Sequence, residues 1–181
     1  MSDALRALRN QPFALLAQLD QQMRAARFEA GEGQFWTGLA FRLGDDAFVI
    51  PRSEAGEVLA LPTMTRVPGA SDWLLGVANV RGDLLTVCDL RRLAGYPPTP
   101  PARETRVIVF NQPDAAMGFV VDAVFGHRQF VPADQKHGLA DATDPPLRDW
   151  LLGAFVRDGV SWRVLSLHRL AAAELLTQVA A

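Results

Sequence analysis

The sequence has only one cysteine in 181 residues, Cys88, so it can form no internal disulfide and no multi-cysteine zinc site. It has no apolar run of about 18 residues, the length that a helix needs to span a membrane. The formal net charge is −2, whereas nucleic-acid-binding domains usually carry an excess of lysine and arginine. The opening segment MSDALRALRNQ lacks the apolar core of a signal peptide. These absences predict a cytoplasmic protein without membrane insertion and without a nucleic-acid partner.

The sequence also lacks the motifs of common catalytic and cofactor sites. No GxSxG, GxGxxG or GxxxxGK[ST] motif occurs, and no two histidines have the spacing of metal ligands. Cys88 lies in the apolar run LLTVCDL, which predicts a buried strand residue rather than a nucleophile. The acidic pair Asp45 and Asp46 is typical of a turn. We therefore expect no catalytic residue, no bound metal and no cofactor.

What the sequence does contain is an internal repeat. Residues 73–94, WLLGVANVRGDLLTVCDLRRLA, align without a gap with residues 150–171, WLLGAFVRDGVSWRVLSLHRLA, and 10 of the 22 positions are identical. Upstream of each copy, residues 47–62 align with residues 117–132. The chain is therefore predicted to consist of two similar units in tandem.

Positions that both copies share are expected to serve the fold. Aligned glycines suit turns or close backbone approach, and an aligned Asp–Ser pair precedes a short helical run that either residue can cap. A β-branched side chain at Gly82 is expected to find neither room nor a suitable backbone conformation. The aligned Trp73 and Trp150 are expected in the core. The positions assigned to the repeat and its turns are Gly76, Gly82, Asp89, Gly153, Gly159 and Ser166.

Short strands bounded by glycine and proline predict a mostly β protein built of two small barrels. Each unit is expected to contain about five strands. The first unit has strands on both sides of a turn at 44–46, then at 56–61, 75–80 and 84–88. The second has strands at 105–110, 117–125, 127–131, 152–156 and 160–167.

The predicted segments follow from this strand pattern. Residues 1–34 are predicted to form an amphipathic helix, which either packs on its own domain or recruits a partner. The proline-rich stretch GYPPTPPA cannot continue a helix or a central strand, so it is predicted to be a linker. The predicted bounds are 1–34 for the helical extension, about 35–94 for barrel one, 95–102 for the linker, about 103–167 for barrel two, and 168–180 for a C-terminal helix.

The stretch GVANVRGDLLTVCDL resembles the hallmark of CheW-like domains, which has the general form G-V-x-N-x-R-G-x-x-x-P-V-x-D-L. The runs RVPGASDWLLGVANVRG and WTGLAFRLGDDAFVIP are most similar to the PilI-type branch of that family, the adaptors of type IV pilus chemosensing and twitching motility. The resemblance covers residues 36–176. Thr86 stands where the family pattern usually has proline, and Ser166 stands at the second helix cap where it usually has Asp.

The resemblance implies two five-stranded SH3-like barrels within residues 35–176 and no enzymatic activity. It implies an adaptor that joins the signalling tip of a methyl-accepting chemoreceptor to the regulatory domain of a CheA-type histidine kinase, at receptor arrays near the inner membrane face. Two alternatives stay open at this point. One is an adaptor of flagellar chemotaxis, and the other is a small-barrel nucleic-acid-binding protein. An enzyme ranks below both, since the repeat already explains most of the polar residues.

The resemblance also suggests a partner-binding site. Arg81 matches the arginine of the family hallmark, which is tied to receptor and kinase coupling, and Asn79 supports it in the same turn. The repeat copies differ at both positions, which marks them as candidates for function. Glu57 and Val58 match the family's third strand near the partner groove. The alternative for Arg81 is an internal salt bridge with Glu57 or Asp83.

Overall fold

The structure is a computed structural model that describes residues 35–112, 116–136 and 148–173. The predicted helix within residues 1–34 and residues 174–180 of the predicted C-terminal helix lie outside this part of the chain. The strands are β1 (Trp36–Leu43), β2 (Asp46–Pro51), β3 (Ala55–Ala60), β4 (Leu74–Val80), β5 (Asp83–Asp89), β6 (Arg106–Phe110), β7 (Met117–Val121), β8 (Ala123–Phe130), β9 (Gln135–Lys136), β10 (Leu151–Arg157) and β11 (Val160–Leu165). The helices are α1 (Leu90–Leu93) and α2 (Leu167–Ala171), and a 3-10 turn covers Pro132–Asp134.

The strands form two mixed sheets. Sheet one has the order β3-β6-β7-β5-β4, and sheet two has the order β8-β1-β2-β11-β10-β9. Neighbouring strands are antiparallel, except for the parallel pairs β5–β7 and β11–β2. Each sheet therefore combines the hairpin of one repeat copy with two strands from the other side of the linker. The mostly β fold is as predicted.

The division of the strands between the sheets differs from the predicted bounds of the barrels. Sheet one takes β6 and β7 from beyond the linker, and sheet two takes β1 and β2 from before it. Barrels at about 35–94 and 103–167 are therefore wrong as sequence ranges. The repeat fixes which segments resemble each other, but only long-range hydrogen bonding decides which segments pair.

The repeat is visible in the sheets strand by strand. β3, β6, β7, β5 and β4 occupy the same places in sheet one as β8, β1, β2, β11 and β10 in sheet two. A bridge between Thr65 and Val77 on the outer side of β4 has its counterpart in the pairing of Lys136 with Ala154. The internal repeat is thus a repeat of complete sheets, with strands exchanged between them.

Opposite edges of each sheet come together at the tips of the two repeat hairpins. In sheet one, Arg81 in the β4–β5 turn contacts Glu57 on β3, the other edge strand. In sheet two, Arg157 at the end of β10 donates a hydrogen bond to the carbonyl oxygen of Gln129 on β8. Because edges that are far apart in strand order touch, both sheets are curled into small barrels.

Three clusters of buried side chains form the core. One cluster contains only residues of sheet one and another only residues of sheet two, as expected for two barrel interiors. The third and largest cluster contains residues of both sheets and of both helices. It also contains Trp73 and Trp150, which directly precede β4 and β10. The two barrels therefore share one core, and the predicted burial of both tryptophans is confirmed.

Each repeat hairpin runs directly into a capped helix. The Asp89 side chain accepts a hydrogen bond from the N–H of Arg91 at the start of α1, and the Ser166 hydroxyl accepts one from the N–H of Arg169 in α2. The N–H groups of Asp89 and Ser166 donate to the carbonyl oxygens of Trp73 and Trp150. The predicted capping roles are confirmed, and both copies use them in the same way.

One predicted strand is divided in the structure. The segment 117–125 was expected to be continuous, but β7 ends at Val121 and β8 begins at Ala123. The intervening Asp122 accepts a hydrogen bond from the N–H of Gly44 at 2.7 Å and donates its own N–H to the carbonyl oxygen of Arg42. The apolar pattern continues through this bend, so periodicity gives no sign that the chain passes here from sheet one to sheet two.

A buried carboxylate marks the opposite passage, from sheet two to sheet one. Glu54, between β2 and β3, accepts hydrogen bonds from the Ser166 hydroxyl and from the N–H groups of Leu167 and His168. Burial raises the pKa of the Glu54 carboxyl, while His168 and these hydrogen bonds act in the opposite direction. Glu54 therefore fastens the start of α2 to the junction between the sheets.

Two glycines of the first hairpin are constrained for different reasons. A Cβ atom on Gly76, which has φ 145°, would collide with the carbonyl oxygen of Thr65, where the loop before β4 bonds to the sheet. At Gly82 no heavy atom other than those of the adjacent residues lies within 4 Å of a Cβ position, so the expected lack of room is wrong there. Its constraint is φ 100°, which follows φ 56° at Arg81 in a type I′ turn.

We expect Gly76→Ala to destabilise the protein far more than Gly82→Ala. The change at Gly82 adds only backbone strain, which costs about 1–2 kcal/mol. The change at Gly76 adds a steric collision with backbone atoms, so the free energy of unfolding should fall by more than about 3 kcal/mol. Urea unfolding of both variants measures the two values. Equal losses would contradict the close approach of Thr65 to Gly76.

We expect Glu54→Ala to lower the free energy of unfolding by about 3 kcal/mol, because it leaves buried donors at the start of α2 without an acceptor. Glu57→Ala is the matched control, since this glutamate is exposed and should change stability by less than about 1 kcal/mol. Chemical unfolding followed by circular dichroism compares them. Similar stabilities for the two variants would show that Glu54 does not hold the sheet junction.

Candidate functional site

The candidate site is the tip of the first hairpin, and we call it the first tip surface. It comprises Glu57, Asn79, Arg81 and the neighbouring Leu84. The two terminal nitrogens of Arg81 donate to the two carboxylate oxygens of Glu57, at 2.9 Å and 2.5 Å. Their side chains are 74% and 41% exposed. The salt bridge given as the alternative for Arg81 is therefore present with Glu57, but it lies at the surface.

The turn itself is fixed by local interactions. Arg81 and Gly82 both have positive φ, as a type I′ turn requires. The side-chain oxygen of Asn79 accepts a hydrogen bond from the N–H of Gly82 at 3.1 Å. Asn79 therefore stabilises the turn that presents Arg81, which is the supporting position that the sequence suggested for it.

The apolar part of this surface differs from the one expected. Val58 is half-buried and packs against the large shared core, so little of it faces outward. Leu84, which pairs across the hairpin with Asn79, has 67% of its surface exposed. Sequence analysis missed Leu84, although an apolar residue next to the charged turn, without an apolar counterpart at Ser161, was a usable signal.

The second hairpin has a comparable tip. Asp158, the repeat counterpart of Arg81, has φ 53° and is followed by Gly159 at φ 75°. The preceding residue, Arg157, ties this tip to the edge strand β8 through the Gln129 carbonyl oxygen. Joining the tip to the opposite sheet edge is thus a shared structural role. At the first tip the arginine of the turn itself pairs with a carboxylate on the opposite edge strand. At the second tip Arg157, beside the turn, lies within 4.0 Å of Asp134 and Asp158.

Two charged groups that hold the barrels together were not identified from the sequence. Asp122 accepts a hydrogen bond from a terminal nitrogen of Arg91 at 3.1 Å. The Arg91 side chain is 15% exposed and the Asp122 side chain is 6% exposed. Glu54 holds the start of α2. Single acidic residues next to strands give no sequence signal of burial, and neither position aligns with a carboxylate in the other copy.

Among the described residues, neither the Cys88 thiol nor a cluster of metal-ligating side chains forms a second candidate site. The Cys88 thiol is fully buried, and desolvation raises its pKa to about 12, so the reactive thiolate is strongly disfavoured. Within residues 35–112, 116–136 and 148–173, no three His, Cys, Asp or Glu side chains lie together as metal ligands would. In the same part of the chain, no helix has the length and apolar character needed to cross a membrane.

Comparison with known proteins adds to this geometry. Residues 37–175 match the family description "CheW-like domain". The chain is 40% identical to Protein PilI of Pseudomonas aeruginosa over 164 residues, which cover 88% of this chain and 91% of that protein. It is 32% identical to Protein FrzA of Myxococcus xanthus over 107 residues, which cover 59% of this chain and 62% of that protein.

A solved structure shows the same fold. The crystal structure of the scaffolding protein TtCheW from Thermoanaerobacter tengcongensis superimposes with a TM-score of 0.66. The match covers 78% of this chain and 95% of that one, at 20% sequence identity. At this identity the similarity supports the fold, and the candidate site is described from the residues of this chain alone.

We expect Arg81→Gln and Glu57→Gln each to change the free energy of unfolding by less than about 1 kcal/mol, because exposed ion pairs contribute little. Arg91→Gln is the matched control. It removes the same charge from a pair that is largely buried, and its loss should reach about 2 kcal/mol or more. Thermal and urea unfolding give both quantities. If Arg81→Gln destabilised the protein as strongly as Arg91→Gln, the exposed pair would be structural.

Proposed function

The chain belongs to the CheW-like domain family, and we propose that it couples a methyl-accepting chemoreceptor to a CheA-type histidine kinase in type IV pilus chemosensing. The family supports a non-catalytic adaptor in chemotaxis-like signalling. The similarity to Protein PilI, which extends over most of both chains, favours the pilus system. A flagellar chemotaxis adaptor is the second candidate, favoured by shorter matches to CheW proteins such as that of Bacillus subtilis, at 30% identity over 84 residues.

The observation that carries the proposal is the exposed Arg81–Glu57 pair on the first tip surface. It lies where the two repeat copies differ, and the buried pairs of the protein already serve the fold. Arginine beside an exposed aliphatic side chain, here Leu84, is a composition typical of protein interfaces. We propose the first tip surface as a partner-binding site, with Arg81 as its central residue.

The ion pair prepares Arg81 for binding. Glu57 holds the guanidinium group in one orientation, so less side-chain entropy is lost when a partner docks. Two of the five guanidinium N–H groups are engaged by Glu57, which leaves others to donate to a partner carbonyl or carboxylate. Asn79 and Gly82 fix the backbone beneath it. The surface is therefore preorganised although it is exposed.

The shared core suggests how one protein could connect two partners. Each barrel contributes side chains to the largest cluster, so surfaces on different barrels are joined by close-packed side chains and by exchanged strands. A receptor bound to one surface and a kinase bound to another would be held in a fixed relation. Transmission of a signal also requires the adaptor complex to have different affinities for the two receptor states.

The geometry gives little support to a nucleic-acid-binding function. Base stacking needs exposed aromatic side chains, but Trp73, Trp150 and Trp162 are buried, and the exposed large aromatic side chains among the described residues are two phenylalanines, Phe35 and Phe125. The net charge of −2 adds no general attraction for a polyanion. The small barrels are better explained by protein–protein contacts.

We expect calorimetric titration with the regulatory domain of the organism's pilus-associated CheA-type kinase, or with a receptor signalling-tip fragment, to show saturable binding. Arg81→Gln should weaken binding to one of these partners at least tenfold, about 1.4 kcal/mol, without changing the melting temperature. Arg103→Gln changes an exposed arginine shortly before β6, outside the first tip surface, and is the control that should bind normally. Titration with the flagellar kinase domain distinguishes the two chemosensory systems.

A charge exchange refines this test. The double variant Glu57→Arg with Arg81→Glu can form the ion pair again while reversing its direction. If Arg81 itself contacts the partner, this variant should remain defective. Full recovery of binding would show that the pair serves only to position the turn, and failure of the wild-type protein to bind either partner would refute the proposed function.

A further inference from the structure

A cleft of about 870 Å³ lies on the outside of barrel two, at the tip of the second hairpin, and we call it the second tip groove. Phe35, just before β1, lies at one wall, and Val156 on β10 lies at the other. Phe35 is 63% exposed and Val156 is 43% exposed. The groove therefore presents two apolar side chains to solvent in the described part of the chain.

The two apolar walls belong to the same face of the barrel. Trp36 packs against the interior cluster of barrel two, so Phe35, one position earlier, points outward. Phe155 belongs to that interior cluster, so Val156 also points outward. β8 lies between them, since it pairs with β1 and its Gln129 carbonyl oxygen accepts a hydrogen bond from the end of β10. With one strand between them, the walls are at least about 10 Å apart, which leaves the width of a helix.

Barrel one has polar residues at the corresponding positions. The register shifts in the β1–β8 and β6–β3 pairings fall beside Phe41 and Phe110, which makes these two residues equivalent. Counting back along both strands, Glu104 takes the place of Phe35. The repeat alignment places Asn79 at the other wall position, and both polar residues are exposed. The apolar walls are thus particular to barrel two, and the shared fold does not require them.

The chain enters barrel two at this groove, because Phe35 directly follows residues 1–34, which lie outside the described part. The sequence of that segment has apolar residues at helical spacing: Phe13, Leu16, Leu19, Met23 and Phe28. Residues 29–34 connect this pattern to Phe35 and include two glycines, which restrict the direction of the chain least. A connection of this length reaches about 20 Å when extended, so the apolar pattern can lie over the groove.

The segment before the domain has a counterpart in Protein PilI. The family match begins at residue 37. The match to Protein PilI covers 88% of 181 residues, about 159, so it begins at or before about residue 23 even if it continues to the last residue. The match to TtCheW covers 95% of that chain but 78% of this one, which leaves few residues of TtCheW for such a segment. The fold itself therefore does not depend on the segment.

We propose that residues 13–28 of this chain pack into the second tip groove, with their apolar side chains against Phe35 and Val156. The attachment at Phe35 favours this occupant over a separate protein, because a segment on a short tether acts at an effective concentration of roughly millimolar. While the segment is in place, the outer face of barrel two is closed to other proteins. The groove shares no residue with the first tip surface, so this contact is separate from the partner binding proposed there.

Limited trypsin digestion of the full chain tests the contact, because Arg24 and Arg27 are cleavage sites within the segment. Val156→Asp places a charge in one wall and should speed cleavage at both sites at least about tenfold, since cleavage follows the population of the undocked segment. Cleavage at Arg9, which precedes the segment, should not change. Leu84→Asp is the matched control, an exposed apolar residue of the other repeat hairpin, and should be cleaved at the wild-type rate.

A substitution in the segment tests the same contact without changing either barrel. Leu16→Asp should speed cleavage as Val156→Asp does, and the double variant should be cleaved no faster than either single variant, because both changes disrupt one contact. Gln18→Asp adds the same charge between the apolar positions and should leave the rate unchanged. Mass spectrometry of the fragments gives the rate at each arginine, and circular dichroism checks that each variant is folded.

The proposal would be overturned if the wild type were cleaved at Arg24 and Arg27 as fast as at Arg9, or if Val156→Asp behaved like Leu84→Asp. Additive effects of the two disruptive changes would also overturn it. So would a cleavage rate that falls as protein concentration rises, because the segment would then occupy the groove of a second copy. Arg81→Gln should keep the wild-type rate, so the result does not depend on binding of a kinase or receptor.

Discussion

The structure depends on two parallel strand pairings, β5 with β7 and β11 with β2. In each, the last strand of one repeat hairpin bonds to a strand from the other repeat copy. Without them, each copy would expose a row of backbone N–H and C=O groups, which is costly and favours wrong association. The exchange gives each sheet its partner strands and makes both copies necessary for either barrel. Two similar segments in the sequence therefore become one cooperative unit.

Two buried carboxylates secure the places where the chain passes between the sheets. Glu54 binds the start of α2, and Asp122 binds Arg91 of α1 and the turn at Gly44. These contacts are long-range, and they close the ends of a core that both sheets share. A rigid arrangement of two barrels suits an adaptor, because partners at separate surfaces are then held at fixed distances.

The two hairpin tips show how a repeated fold acquires different surfaces. Both tips use a type I′ turn and an arginine that reaches the opposite edge strand. Around this common frame the side chains diverge, with a preorganised Arg81–Glu57 pair beside Leu84 at one tip and with Arg157 close to Asp134 and Asp158 at the other. The fold uses the same frame at both tips, whereas the exposed positions can differ because substitutions there cost little stability.

The sequence by itself determined most strand segments, the helix caps Asp89 and Ser166 and the family, and it singled out the Arg81 turn as a candidate site, because these follow from local periodicity, the repeat and the family hallmark. Only the tertiary structure decided which strands pair, since hydrogen bonding across the linker has no local signal. It also decided that Arg81 pairs with Glu57 at the surface, that Val58 packs inward, and that Gly82 has space. Each of these depends on contacts between segments distant in sequence, which packing fixes and residue pattern does not.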